Sequence, residues 1–147
     1  MQRPSAAITN LYFINDIHSS AQNLKIQLQN GKVVTLSRLN KSYEGFVEKI
    51  IGASKSKFPI GLTISADNEI IDIRYADNDF VMEIASKNNN TFVIQFQGHD
   101  GYFFLHHGDP KFEEIFDVLK KAKIGSKRVW FIAQLPQLTI LDVIPTR

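Results

Sequence analysis

The sequence predicts a β-rich α+β protein: a small antiparallel β-barrel or curved sheet, OB-like from residue 79 on, with one clear helix near 111–123 and a short one near 43–51. Three observations support this class. Eleven Phe, four Tyr and one Trp fall largely in runs rich in Val and Ile, which fit a pleated, half-buried surface better than a helix. Those runs are short and bounded by clusters of Asn, Asp, Gly and Ser, as turns between strands require. One longer stretch, "PKFEEIFDVLKKAKIG", has its apolar residues at helical spacing.

Composition bounds the answer. With 147 residues, 44% hydrophobic and 22% charged, the chain suits one packed domain. Residues 1–147 are expected to form that single domain, with an N-terminal hairpin and short helix (1–58) extending a β-barrel core (59–147). The absence of cysteine excludes disulfides and thiolate metal sites. The opening "MQRPSAAITNLYFIND" has too short an apolar run for a secretory leader, and no stretch approaches the roughly 20 apolar residues of a membrane helix. A cytoplasmic protein without a membrane partner is therefore expected. The formal charge of +2 is compatible with nucleic acid but does not demand it.

Each element follows from local chemistry. Ile8 to Ile14 suits a strand, and "NDIHSSAQN" reads as a turn-rich break. Leu24, Ile26 and Leu28 then alternate with polar residues, Asn30-Gly31 suits a type I′ turn, and Val34 and Leu36 continue the alternation. Ser42 is placed to cap a short helix carrying Phe46, Val47, Ile50 and Ile51, ended by Gly52, after which "ASKSK" reads as a loop. "ADNEIIDI" and "ADNDFVMEI" are ten residues apart, each a polar turn before an apolar run, the spacing of a β-meander rather than of a repeat protein. "TFVIQFQ" and "YFFLHH" are strands on either side of the turn "GHDG". Asp109 and Pro110 suit the start of the main helix, Phe112, Ile115, Phe116 and Leu119 share one face, and Gly125 closes it. "RVWFIA" and "LTILDVI" make a last antiparallel pair around Pro136. From Asp79 the order is three strands, a helix and two strands, that of the five-stranded OB barrel.

The stretch Phe96 to Pro110 holds three of the four histidines beside two aspartates. On a strand, His106 and His107 lie about 17–20 Å from His99 and point to opposite faces, so no metal site is assigned, and isolated His18 reads as a loop residue. Asp100-Gly101 is turn chemistry, and Gly108-Asp109-Pro110 a strand-to-helix junction. Around a two-residue turn, Thr91, Val93, Gln95 and Gln97 share a face with Tyr102, Phe104 and His106. Phe92, Ile94, Phe96, Phe103 and Leu105 make the opposite, core-like face. A covering sheet or hairpin over the first face is the bland alternative. Asp67, Asp77 and Asp79 read as turn residues serving local backbone bonds, and no carboxylate pair is poised to titrate apart.

No phosphate-binding glycine loop, nucleophile elbow or metalloprotease helix is present, so no catalytic residue and no cofactor is assigned. The leading reading is a non-enzymatic binding module for single-stranded nucleic acid. Gln95, Gln97, Tyr102, Phe104 and His106 would form its strand face, and Lys120, Lys121, Lys123, Lys127 and Arg128 would meet phosphates. The lysines equally suit the negative end of a helix dipole. The alternatives are a protein–protein interaction or assembly subunit of a soluble bacterial-type complex or homo-oligomer, and an enzyme with a small pocket using His99 or His106 as base.

Overall fold

A computed structural model describes residues 8–146. Residues 1–7, on which the expectation of no leader partly rests, lie outside it. Eleven strands and two helices are present among the described residues, and the chain divides into two compact units, Met1–Tyr75 and Ala76–Arg147. The division falls after Tyr75, not after residue 58. The reason is pairing and packing: the strands at 60–75 bond to the N-terminal strand, and Ile60, Leu62, Ile70 and Ile73 share a core with Leu24, Ile26 and Ile50.

The first unit contains β1 (Ile8–Tyr12), β2 (Ile14–Ser19), β3 (Asn23–Leu28), β4 (Val33–Ser37), α1 (Tyr43–Ser56), β5 (Ile60–Ile64) and β6 (Ile70–Tyr75). One sheet has the order β1-β5-β6 and the other β2-β3-β4. Only Phe13 separates β1 from β2, and its carbonyl accepts the Gln29 amide, so the two sheets share one bent strand at this side. At the other side a parallel bridge joins Thr35 of β4 to Glu69, and the Thr35 amide donates to the Asn68 carbonyl at 2.9 Å. The expected break at "NDIHSSAQN" is therefore a strand for its first half, because Ile17 finds Ile26 across the pair.

The β3–β4 hairpin buries the expected residues, Leu24, Ile26, Leu28, Val34 and Leu36, but its register pairs Ile26 with Val34 around a three-residue loop, one residue off what a two-residue Asn30-Gly31 turn would give, because only this register puts both apolar sets on one face. Its turn is not type I′, which needs two positive φ angles, since only Gly31 (φ +90°) has one. Gly52 does not end α1, which runs to Ser56 and stops where Lys57 turns left-handed at φ 57°. Ala53 is why: its burial against the core rewards one more turn, and all of "ASKSK" but its last lysine becomes helix. Ser42 makes no side-chain cap. Asn40 does the work from two residues earlier, accepting the Ser42 amide on Oδ1 at 2.8 Å.

The second unit contains β7 (Asp77–Asn88), β8 (Thr91–Phe96), β9 (Phe103–His106), α2 (Phe112–Gly125), β10 (Arg128–Gln134) and β11 (Thr139–Pro145). Its strands close into a ring ordered β7-β8-β9-β11-β10. All pairs are antiparallel except β9 with β11, which is parallel, so the expected all-antiparallel arrangement is corrected at that seam. The expected meander through residue 76 fails as well: β6 pairs with β5, β7 with β8 and β10, and the two echoed turns belong to different units. Phe112, Ile115, Leu119 and Ala122 of α2 pack with Ile94, Phe96, Leu105, Phe131 and Val143 from the strands. Asp109 lies just before α2 and accepts the Lys111 amide on Oδ1 at 2.8 Å. No helix among the described residues is long and apolar enough to cross a membrane.

Candidate functional site

The outer wall of β8 and β9 is built by strand alternation. Phe92, Ile94, Phe96, Phe103 and Leu105 point to the core side, and the residues between them must point out. The register pairs Thr91 with His106 and Val93 with Phe104, so the expected face grouping is present. The turn is longer than two residues, since β8 ends at Phe96 and β9 starts at Phe103, but the shift is an even number and preserves the parity. Tyr102 sits in that loop at 57% exposure, His106 is exposed, and Gln95, Phe104 and Val93 are half-buried. The wall is thus accessible. Thr91 Oγ1 lies 3.2 Å from His106 Nδ1 and orients that imidazole.

One residue that sequence reasoning missed joins this wall. Lys87, near the end of β7, holds its ammonium 5.2 Å from the Phe104 ring centroid. Its signal was only its place in "SKNNN", one strand away. The cations expected to meet phosphates are distributed differently from expectation. Arg128 stacks over Phe80 at 4.6 Å, and Gln97 donates its amide to the Phe80 carbonyl, so Arg128, Phe80 and Gln97 form one row of the outer wall. Lys120 stands over Phe116 of its own helix, and Lys121 pairs with Asp117 at 3.0 Å. Lys123 and Lys127 are exposed at the end of α2.

A second cluster lies where the β8–β9 loop meets the start of β7. Asp79 was expected in a turn but is a buried strand residue whose carboxylate accepts three bonds: from the Phe80 amide at 2.7 Å, the Gly98 amide at 2.7 Å and His99 Nδ1 at 2.6 Å. Burial by itself pushes this carboxyl up, but the hydrogen bonds from His99, Phe80 and Gly98 and the charge of His99 outweigh it and hold the group below its ordinary value. An ionised Asp79 requires the proton on Nδ1, which turns Nε2 toward Asp77 Oδ1 at 3.6 Å. The imidazole edges pack on Phe96, Phe103 and Phe131. Gly98 gives the carboxylate close room, since a Cβ there would lie 3.1 Å from Asp79 Oδ2. Asp77, Asp79 and His99 can fix and hold a proton. Their contacts also fasten the 97–102 loop that carries Tyr102.

The remaining histidines do not join that cluster. His107 packs on Phe112 at 4.3 Å, and His18, a strand residue rather than the expected loop residue, pairs with Asp16 at 2.9 Å. Among the described residues no three His, Cys, Asp or Glu side chains come together as a metal site needs. No protein-family model, curated protein or solved structure gives a match to this chain.

Proposed function

We propose that the second unit is an OB-type ring that binds single-stranded nucleic acid, without catalysis, on the outer wall of β8 and β9. The observation that carries this reading is the position of the accessible aromatic wall: Phe104 and His106 lie on the third strand and Tyr102 in the loop just before it, beside Gln95 of the second strand, in a ring ordered first-second-third-fifth-fourth with its helix between the third and fourth strands. In that arrangement the second and third strands are the ones that receive oligonucleotides and oligosaccharides. Gln95 and Gln97 supply amides for base edges beside the rings, and Lys87 and Arg128 supply charge.

Magnitudes favour stacking over charge. Residues 76–147 hold eight Lys and Arg against nine Asp and Glu, so bulk attraction for phosphate is weak. Each base stacked on an aromatic contributes about 1–3 kcal/mol. Anisotropy of a labelled oligonucleotide tests this: Tyr102→Ala and Phe104→Ala should each weaken binding by about 5- to 150-fold. With only Lys87 and Arg128 meeting phosphates, log affinity should fall against log salt with a slope near about −1.4, shallower than a lysine-rich helix would give. Absence of binding at low salt, or alanine variants that bind like the parent, would sink the reading.

A further inference from the structure

We propose that the chain is a tandem duplication of one five-stranded, one-helix unit, and that of the two equivalent outer walls only that on β8 and β9 is equipped to stack bases. The second half of this proposal rests on the nucleic-acid reading, whereas the first half stands independently of any ligand.

Connectivity comes first. In the first unit the bent strand β1–β2 pairs with β5 through its first half and with β3 through its second. In the second unit β7 pairs with β10 through Asp77 to Phe80 and with β8 from Val81 on, and a register shift marks the change of partner. Both first strands span twelve residues, 8–19 and 77–88. Each is followed by a second and a third strand, a helix and a closing pair. Each third strand then meets the fifth in parallel. The Thr35 amide donates to the Asn68 carbonyl and the Phe104 amide to the Leu138 carbonyl, both at 2.9 Å. Thr35 bridges Glu69 as Phe104 pairs with Thr139, 69 and 70 positions further on.

The helices repeat in finer detail than connectivity demands. α1 begins at Tyr43 and α2 at Phe112, 69 positions apart, and each has fourteen residues. Their buried residues Phe46, Ile50 and Ala53 correspond at that offset to Ile115, Leu119 and Ala122. Asn40 and Asp109, again 69 apart, each accept the amide two residues on at 2.8 Å. Both helices end in a left-handed residue that is not glycine, Lys57 and Ser126, a costly choice for an L residue. The following amides, of Phe58 and Lys127, bond back to Ala53 and Ala122. A shared ring needs none of these details. In sequence, "IQLQ" at Ile26 and "IQFQ" at Ile94 mark the second strands, 68 apart.

Laying one copy on the other separates what the fold needs from what has been added. Gln27 and Gln29 correspond to Gln95 and Gln97, so the amides are common to both walls. On the neighbouring strand, Val33, Thr35 and Ser37 stand where the second unit has Tyr102, Phe104 and His106. The aromatic groups are therefore dispensable for the ring and peculiar to one copy.

Two measurements on the full-length chain test this. In its NMR spectrum, cross-strand NOEs should connect the Thr35 amide with Asn68 and Glu69 just as they connect the Phe104 amide with Leu138 and Thr139. Their absence from the first unit overturns the duplication. Isothermal titration with a short oligonucleotide should give one strand per parent chain. The triple variant Val33→Tyr, Thr35→Phe, Ser37→His, folded by circular dichroism, should take two. In the Tyr102→Ala, Phe104→Ala background the same graft should restore one site. Two strands on the parent chain, or one on the folded graft, overturns the single-wall assignment. A parent chain that takes none overturns the nucleic-acid reading and that assignment together, and the NOEs alone then decide the duplication.

Discussion

At the scale of single residues, Asp79 concentrates more chemistry than any other side chain. It was legible in the sequence only as an aspartate in a polar run, because nothing local reveals that Gly98 and His99 return to it. Removing its carboxylate leaves two amides and an imidazole without their acceptor, at a cost of about 1–3 kcal/mol. Asp79→Ala should lower unfolding stability by at least this amount in urea denaturation at neutral pH. The sign with pH follows from its depressed pKa: the stabilisation is fully present above the unfolded value of about 3.9 and is lost as pH falls through the lower folded value. The gap between parent and Asp79→Asn should therefore narrow on acidification, and a gap constant from pH 7 to 2 would contradict the assigned ionisation. Tyr102 belongs to the same account, since the loop that presents it is the one Asp79 fastens.

At the scale of elements, alternation and periodicity were enough to find the hairpin β3–β4, the strands β8 and β9 and the helix α2. They failed at ends and at seams. Gly52 looked like a terminator, yet α1 runs through it, because a glycine inside a helix costs only about 1 kcal/mol and burial of Ala53 outweighs that. Both helices stop instead at Lys57 and Ser126, residues held at φ 57° and 52°. Since glycine adopts that conformation without the clash an L side chain meets, Lys57→Gly and Ser126→Gly should each raise stability by about 0.5–1 kcal/mol. Thermal and chemical denaturation of the two variants checks this. Destabilisation of either would mean that the left-handed turn is not what ends the helix. β5 was not foreseen, since "IGLTI" alternates poorly: Ile60, Gly61, Leu62 and Ile64 are all buried.

At the scale of the whole molecule, the chain carries two cores with separate membership, one holding Ile50 and the other Leu119. These residues are equivalent in the two helices and both are fully buried. Ile50→Ala and Leu119→Ala should each cost about 2–5 kcal/mol, and hydrogen exchange should report the loss of protection in the unit that contains the change. Equal loss in both units from either variant would show that the cores do not act separately. The strands of the second unit join in a ring, with β9 and β11 pairing at a single position, Phe104 with Thr139.

By itself the sequence determined that the protein is rich in strands, which residues of β3, β4, β8 and β9 face inward, where α2 runs, and that Tyr102, Phe104 and His106 share a face. All of these rest on interactions between residues a few positions apart, whose periods of 2 and 3.6 are printed in the chain. Only the tertiary structure decided the rest: where the chain divides, that Thr35 of β4 bridges Glu69 in parallel just before β6 as β9 meets β11, that His99 lies on Asp79, and that Lys87 stands over Phe104. Those contacts span from 17 to 35 residues of sequence, a separation that no local pattern encodes.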